Sequence, residues 1–126
     1  MLERILESLR TAIQPEMSSR ERVLNVGLRL AMEFGENWLQ PIQGRLSNRY
    51  PDLSADELAE YNRICQEAMR FGHDYVIRFA EENDSGPSFS EFKAAIYSKY
   101  PWVSRAKLSR LRSQGHYYAW KDGLII

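Results

Sequence analysis

The chain has 126 residues, 44% of them hydrophobic and 27% charged, and its formal net charge is zero. This is the composition of an ordinary soluble domain with room for one hydrophobic core; it excludes a disordered chain and gives no global charge that would draw the whole molecule to nucleic acid or membrane. The lone cysteine excludes an intrachain disulfide and fits a reducing, cytoplasmic setting.

Leu2, Ile5, Leu6, Leu9 and Ile13 form one apolar stripe and predict a first helix, stopped by Pro15. Its charges, Glu3, Arg4, Glu7 and Arg10, cancel and interrupt any apolar run. The segment therefore reads as neither signal peptide nor membrane span, but as a helix that packs on the domain or on a second copy.

Ser18 and Glu21 have the spacing of a capping box and open a second helix that the pattern carries to about Leu39. Along it Gly27, Ala31 and Gly35 recur at intervals of four, a smooth face suited to close helix–helix approach, with Gly72 as a candidate opposite. Ile42, Leu46 and Tyr50 predict a short third helix between Pro41 and Pro51.

The longest element follows. Ser54 and Glu57 form a second capping-box pattern, and no proline interrupts the chain from there to Pro87. Leu58, Tyr61, Cys65, Ala68, Gly72, Tyr75, Val76 and Phe79 share one stripe; Glu60, Arg63, Glu67, Arg70, Asp74, Arg78 and Glu81 share the opposite one. The alternating charges read as a solvated face with its own i,i+3 and i,i+4 pairs. One central helix from Ser54 to about Asn83 is expected.

Asn83-Asp84-Ser85-Gly86-Pro87 is a breaker-rich loop. Ser88 and Glu91 open a fifth helix, ended by Pro101, and Ser104 caps a sixth from Arg105 to about Gln114, with Gly115 as its stop. Asp122-Gly123 is a turn signal and predicts a small β-hairpin at the C-terminus. The fold class is all-α: a bundle of five or six helices around one long central helix. The expected organisation is a single helical domain over 1–126, with an acidic bundle (1–83) and a basic helical-hairpin tail (88–126) packed on it.

The zero net charge hides a division. Residues 1–87 carry ten arginines against fifteen Asp and Glu, a net −5; residues 88–126 carry seven Lys and Arg against two acids, a net +5. All four lysines, Lys93, Lys99, Lys107 and Lys121, lie in the second part.

No catalytic constellation accompanies this. Cys65 and His73, eight residues apart on one helix, stand about 12 Å apart and cannot form a thiolate–imidazole pair. Neither histidine has the Glu-x-x-His spacing of a bundle metal site, since Arg70 precedes His73 and Ser113 precedes His116. No phosphate loop, nucleophile elbow or His-Glu-x-x-His run occurs. The reading assigns no catalytic residue, no metal and no cofactor.

Phe89 to Lys121 carries most functional content. Two helices joined through Tyr100-Pro101-Trp102-Val103 resemble a helix-turn-helix, and Val103-Ser104-Arg105-Ala106-Lys107-Leu108-Ser109-Arg110-Leu111 resembles the start of a recognition helix, with Trp102 where glycine is usual. The resemblance implies contacts to nucleic acid, or to an acidic partner, from Lys99, Trp102, Arg105, Lys107, Arg110, Arg112, His116 and Lys121. Trp102, Tyr117, Tyr118 and Trp120 offer stacking surfaces for single-stranded bases. The sequence thus predicts a small non-enzymatic interaction module that binds a protein partner or a second copy and no membrane. The alternative is a nucleic-acid-binding protein using residues 89–121.

Overall fold

Serine hydroxyls set where the main helices begin. The computed structural model describes residues 17–125; the helix expected over Leu2, Ile5, Leu6, Leu9 and Ile13 lies outside them. Five α-helices follow in order: α1 (Ser19–Ala31), α2 (Gln43–Arg49), α3 (Ala55–Asn83), α4 (Phe89–Tyr97) and α5 (Arg105–Lys121), with a 3-10 turn at Gly35–Asn37 between α1 and α2. The three expected capping boxes all form: Ser18 with Glu21, Ser54 with Glu57, and Ser88 with Glu91. Each satisfies orphan N–H groups and places a carboxylate at the positive end of the helix dipole. That is why the Glu57 and Glu91 carboxyls are held below their ordinary range, chiefly by hydrogen bonds from Ser54 and Ser88.

α3 is the axis of the fold. Its 29 residues span about 43 Å at 1.5 Å each, and α1, α2, α4 and α5 all pack on it. The core gathers Leu28 and Met32 around the end of α1, Ile42 and Leu46 at α2, Met69 and Val76 from α3, Phe92 and Ile96 from α4, and Leu108 and Leu111 from α5, all fully buried. The charged face of α3 stays exposed, but only Arg63 bridges within it, to Glu60 and Glu67. Among the described residues no helix is long and apolar enough to cross a membrane.

Three local expectations are corrected. First, α1 stops at Ala31 and not near Leu39. Other elements take the carbonyls at its end: Gln114 Nε2 donates to the Met32 carbonyl at 2.7 Å, and an Arg45 guanidinium N–H donates to the Leu30 carbonyl at 2.9 Å. Gly35 then turns the chain at φ +85°. The run of Gly27, Ala31 and Gly35 is accordingly split, with Gly27 and Ala31 buried in α1 and Gly35 exposed in the loop.

Second, Gly115 does not stop the last helix, which runs on to Lys121. Its missing side chain serves packing, because a Cβ there would stand 2.7 Å from Val76 Cγ2.

Third, the C-terminal β-hairpin is absent, and the described residues contain no strand. Asp122-Gly123 ends α5 in a Schellman motif: Gly123, at φ +78°, donates its N–H to the Trp120 carbonyl at 3.0 Å, and Leu124 donates to that of Ala119 at 2.9 Å. The same dipeptide suits a hairpin turn, but the helix before it is held by the buried residues Leu111, Gly115 and Ala119.

The glycines give a test with opposite signs. At Gly72 an added Cβ would lie 2.6 Å from Leu111 Cδ2, whereas at Gly44 it would meet nothing within 4 Å. Gly72→Ala and Gly115→Ala should lower the unfolding free energy by about 1–3 kcal/mol through overpacking. Gly44→Ala should raise it by up to about 1 kcal/mol through helix propensity. Urea denaturation of the three variants checks both signs.

Candidate functional site

One flank of α5 faces the loop that follows α1. Lys107, Arg110, Gln114, Tyr117, Tyr118 and Lys121 recur at steps of three or four and so share that flank. Gln114 anchors it. The side chain is buried, donates through Nε2 to the Met32 carbonyl, and turns Oε1 toward His73 Nε2 at 3.2 Å. With the amide nitrogen committed to a carbonyl, Oε1 must accept, which places the imidazole proton on Nε2. Burial holds the His73 pKa below its ordinary value, partly opposed by Gln114 and Asp74.

Aromatic rings are built over this base. Trp38 stacks on Tyr118 with centroids 5.9 Å apart and planes at 19°, and Trp38 lies 6.1 Å from the His73 ring. Phe34 leans on Trp38 at 5.0 Å and meets Tyr117 edge-on at 6.5 Å. Together they bound a groove of about 710 Å³ lined by Phe34, Trp38, Arg110, Ser113, Gln114, Tyr117, Tyr118 and Lys121. That volume lies within the usual range for small-molecule sites. Both charged residues in the lining are cations. Large apolar surface stays in solvent here and nearby: Phe34 is 54% exposed, Tyr117 48% and Trp120 60%.

A basic cluster leads into the groove. Lys107 has its pKa pushed down by burial first and then by the neighbouring charges of Arg29 and Arg110. α5 contains five cations and no carboxylate. Among the described residues none of the five forms an ion pair; the salt bridges are those of Arg45 with Glu33 and of Arg63 with Glu60 and Glu67.

The eight residues expected to contact a partner divide by position. Lys107, Arg110 and Lys121 lie on the groove flank. Arg105, Arg112 and His116 lie on the other: the Arg105 guanidinium sits 5.1 Å above the Phe89 ring, Arg112 Nε donates to the Pro87 carbonyl at 2.9 Å, and the His116 ring packs against Gly86. Lys99 is elsewhere, its Nζ 4.8 Å above the Phe71 ring. Trp102 is half-buried, and its carbonyl accepts from Asn25 Nδ2 at 2.8 Å. Asn25 Oδ1 in turn accepts from the Ser104 N–H at 2.8 Å, which ties the start of α5 to α1. The connection between α4 and α5 takes seven residues, Ser98 to Ser104, against three or four in a helix-turn-helix.

The small residues do not form one shared seam. A Cβ on Gly27 would approach Cys65 Sγ and Ile42, while Gly72 faces Leu111 on α5. Cys65 is buried, its thiol pushed up to about 12 by desolvation and donating to the Leu24 carbonyl at 3.3 Å. Among the described residues no three His, Cys, Asp or Glu side chains gather as a metal site.

Sequence reasoning missed Phe34, Trp38, His73 and Gln114. The available signal was Phe34 followed by Trp38-Leu39, large apolar residues separated by the turn-forming and polar run Gly35-Glu36-Asn37. No protein-family model matches the chain, and comparisons with curated proteins and with solved structures give no match either.

The two imidazoles yield a pH prediction. His73 is depressed by burial, and His116 by burial and then by Arg112. Above the unfolded value of about 6.5 both states are neutral; as pH falls through it, the unfolded chain takes up protons first, so stability is lost. Unfolding free energy should therefore be level above about pH 7 and decline between about 6.5 and 5, before the carboxylates titrate. Urea titrations at stepped pH test this, and His73→Gln should flatten part of the decline. A profile level down to about pH 5 contradicts the assignment.

Proposed function

We propose that this chain is a small non-enzymatic helical interaction module that binds an anionic partner through the groove flank of α5. The observation that carries the reading is a wide groove with aromatic walls whose two charged lining residues, Arg110 and Lys121, are cations without an ion-pair partner among the described residues. Lys107 and Arg29 prolong the positive potential beyond the groove. A surface of this kind favours anions electrostatically and offers ring faces for apolar contact.

A test must separate this flank from basicity in general. Arg110→Ala with Lys121→Ala and Arg105→Ala with Arg112→Ala remove the same charge from opposite flanks. On immobilised heparin, used as a generic polyanion, the first pair should elute at clearly lower salt than the native chain and the second should shift less. Equal shifts, or no retention of the native chain, would overturn the reading.

Self-association is a second reading, favoured by the exposed Phe34, Tyr117 and Trp120 and by Leu39, which is 61% exposed and held at φ +64°. A leucine in the left-handed region is strained, and here that strain accompanies outward presentation of an apolar side chain. Light scattering over a range of concentrations should then show a rising mass that Leu39→Ser with Trp120→Ser abolishes. A constant monomer mass excludes it. Nucleic-acid binding by residues 89–121 is the remaining alternative, supported by a last helix with five cations and no carboxylate.

A further inference from the structure

We infer that the anionic partner of the α5 groove is single-stranded nucleic acid, its backbone running from Lys107 and Arg110 to Lys121 and its bases stacking on the exposed aromatic rings between and beside them. The inference rests on the reading of this flank as an anion-binding face and adds the identity of the ligand.

Spacing is the first argument. Arg110 and Lys121 are eleven residues apart on one helix, about 16 Å. A single carboxylate or phosphate would meet both only with the two side chains extended along the helix axis toward each other, at a cost in side-chain freedom. A ligand that repeats its anionic groups along the groove meets each cation without that cost. Lys107, with Arg29 beside it, extends the track by about another turn.

What lies along that track is the second argument. Between the cations stand Tyr117 and Phe34, each about half exposed, and Trp120 lies 6.2 Å from Tyr117 on the outer face of the helix. Exposed ring faces interleaved with cations are what unpaired bases on a charged backbone require, and stacking is worth about 1–3 kcal/mol per base. An acidic peptide would satisfy Arg110 and Lys121 but has a flat group only where its sequence supplies one. A nucleic-acid strand carries one at every step.

Duplex recognition is less well served. The arginines are divided between two flanks, and Arg105 and Arg112 are engaged by Phe89 and the Pro87 carbonyl. Paired bases, moreover, do not offer their faces to Phe34 and Tyr117. Acids near the site are few: Glu33, which is paired with Arg45, Glu36 in the loop, Asp74 beside His73, and Asp122 after Lys121, none of them in the groove lining.

The test uses the full chain and three probes at matched salt: a fluorescein-labelled oligothymidylate of about 15 nucleotides, within the site sizes of single-strand binders, a duplex of the same length, and labelled poly-L-glutamate. Anisotropy should show the oligothymidylate binding at least about tenfold more tightly than the duplex, with quenching of tryptophan fluorescence on stacking. With three cations engaged, affinity should fall roughly 20-fold between about 50 and 200 mM salt. Phe34→Ala with Tyr117→Ala should weaken oligothymidylate binding at least about tenfold, the equivalent of one lost stack. Both rings are about half exposed, so helicity should be retained, and circular dichroism confirms it. Arg105→Ala with Arg112→Ala serves as the control that leaves binding near native.

Duplex bound as tightly as single strand, or affinity untouched by the double aromatic change, overturns the inference. Poly-L-glutamate bound in place of oligothymidylate overturns it too, while leaving the anion-binding groove intact and making the partner an acidic protein segment. Failure of all three probes removes the inference and the groove reading together.

Discussion

The contact between α3 and α5 is the constraint on which the rest of the molecule depends, and two glycines make it. Gly72 on α3 receives the Leu111 side chain, and Gly115 on α5 receives Val76. The arrangement is reciprocal: each helix gives up a side chain where the other inserts one. Glycine inside a helix costs about 1 kcal/mol relative to alanine, so two such positions need a compensating gain. That gain is close approach of the two longest helices, which fully buries Leu111 and Val76. A helix placed farther out would leave voids along the longest interface in the fold.

That approach also builds the groove. It brings Gln114 to the end of α1, where its amide group spans two elements, donating to the Met32 carbonyl and accepting from His73. An unfilled carbonyl at a buried helix end costs on the order of 1–3 kcal/mol, so the bond to Met32 lets α1 stop there without penalty. The chain then turns through Gly35 and lays Phe34 and Trp38 against Tyr117 and Tyr118. One glutamine thereby ends a helix, sets the tautomer of the half-buried His73 and fixes the spacing of the aromatic walls.

This division explains what was legible from the residues alone. The helix starts at Ser18, Ser54 and Ser88 were readable because a capping box is closed by residues three apart. The length of α3 was readable because no proline interrupts it and its stripes are continuous. The end of α1, the role of Gly115 and the fate of Asp122-Gly123 were not, since each is decided by a residue remote in sequence: Gln114 and Arg45 for the first, Val76 for the second, and burial of α5 against α3 for the third. The groove was half legible. Arg110, Lys107 and Lys121 stood out by charge, and Tyr117 and Tyr118 by aromaticity, but their partners Phe34 and Trp38 lie some eighty residues earlier in a segment whose spacing imitates a continuing helix.

A chain with −5 in one part and +5 in the other has every opportunity to neutralise itself by docking its basic helix on its acidic one. α5 does dock on α3, but through apolar residues and glycine, and the acidic residues of α3 point away from the interface. Pairing exposed charges would add little, since exposed ion pairs are worth about 0–1 kcal/mol each. Apolar burial of Leu108 and Leu111 is worth about 1.5–3 kcal/mol per side chain. Folding energy therefore orients α5 by its apolar stripe and leaves the cations where that stripe puts them, on two flanks. On one, Arg105 and Arg112 find a ring face and a carbonyl, and their charges help hold the tail. On the other, Lys107 and Arg110 are crowded with Arg29, a repulsive arrangement that no ion pair among the described residues relieves. A cluster of like charges beside exposed rings costs stability in the free chain and is discharged when an anion arrives, which is the physical reason to look for function on this flank.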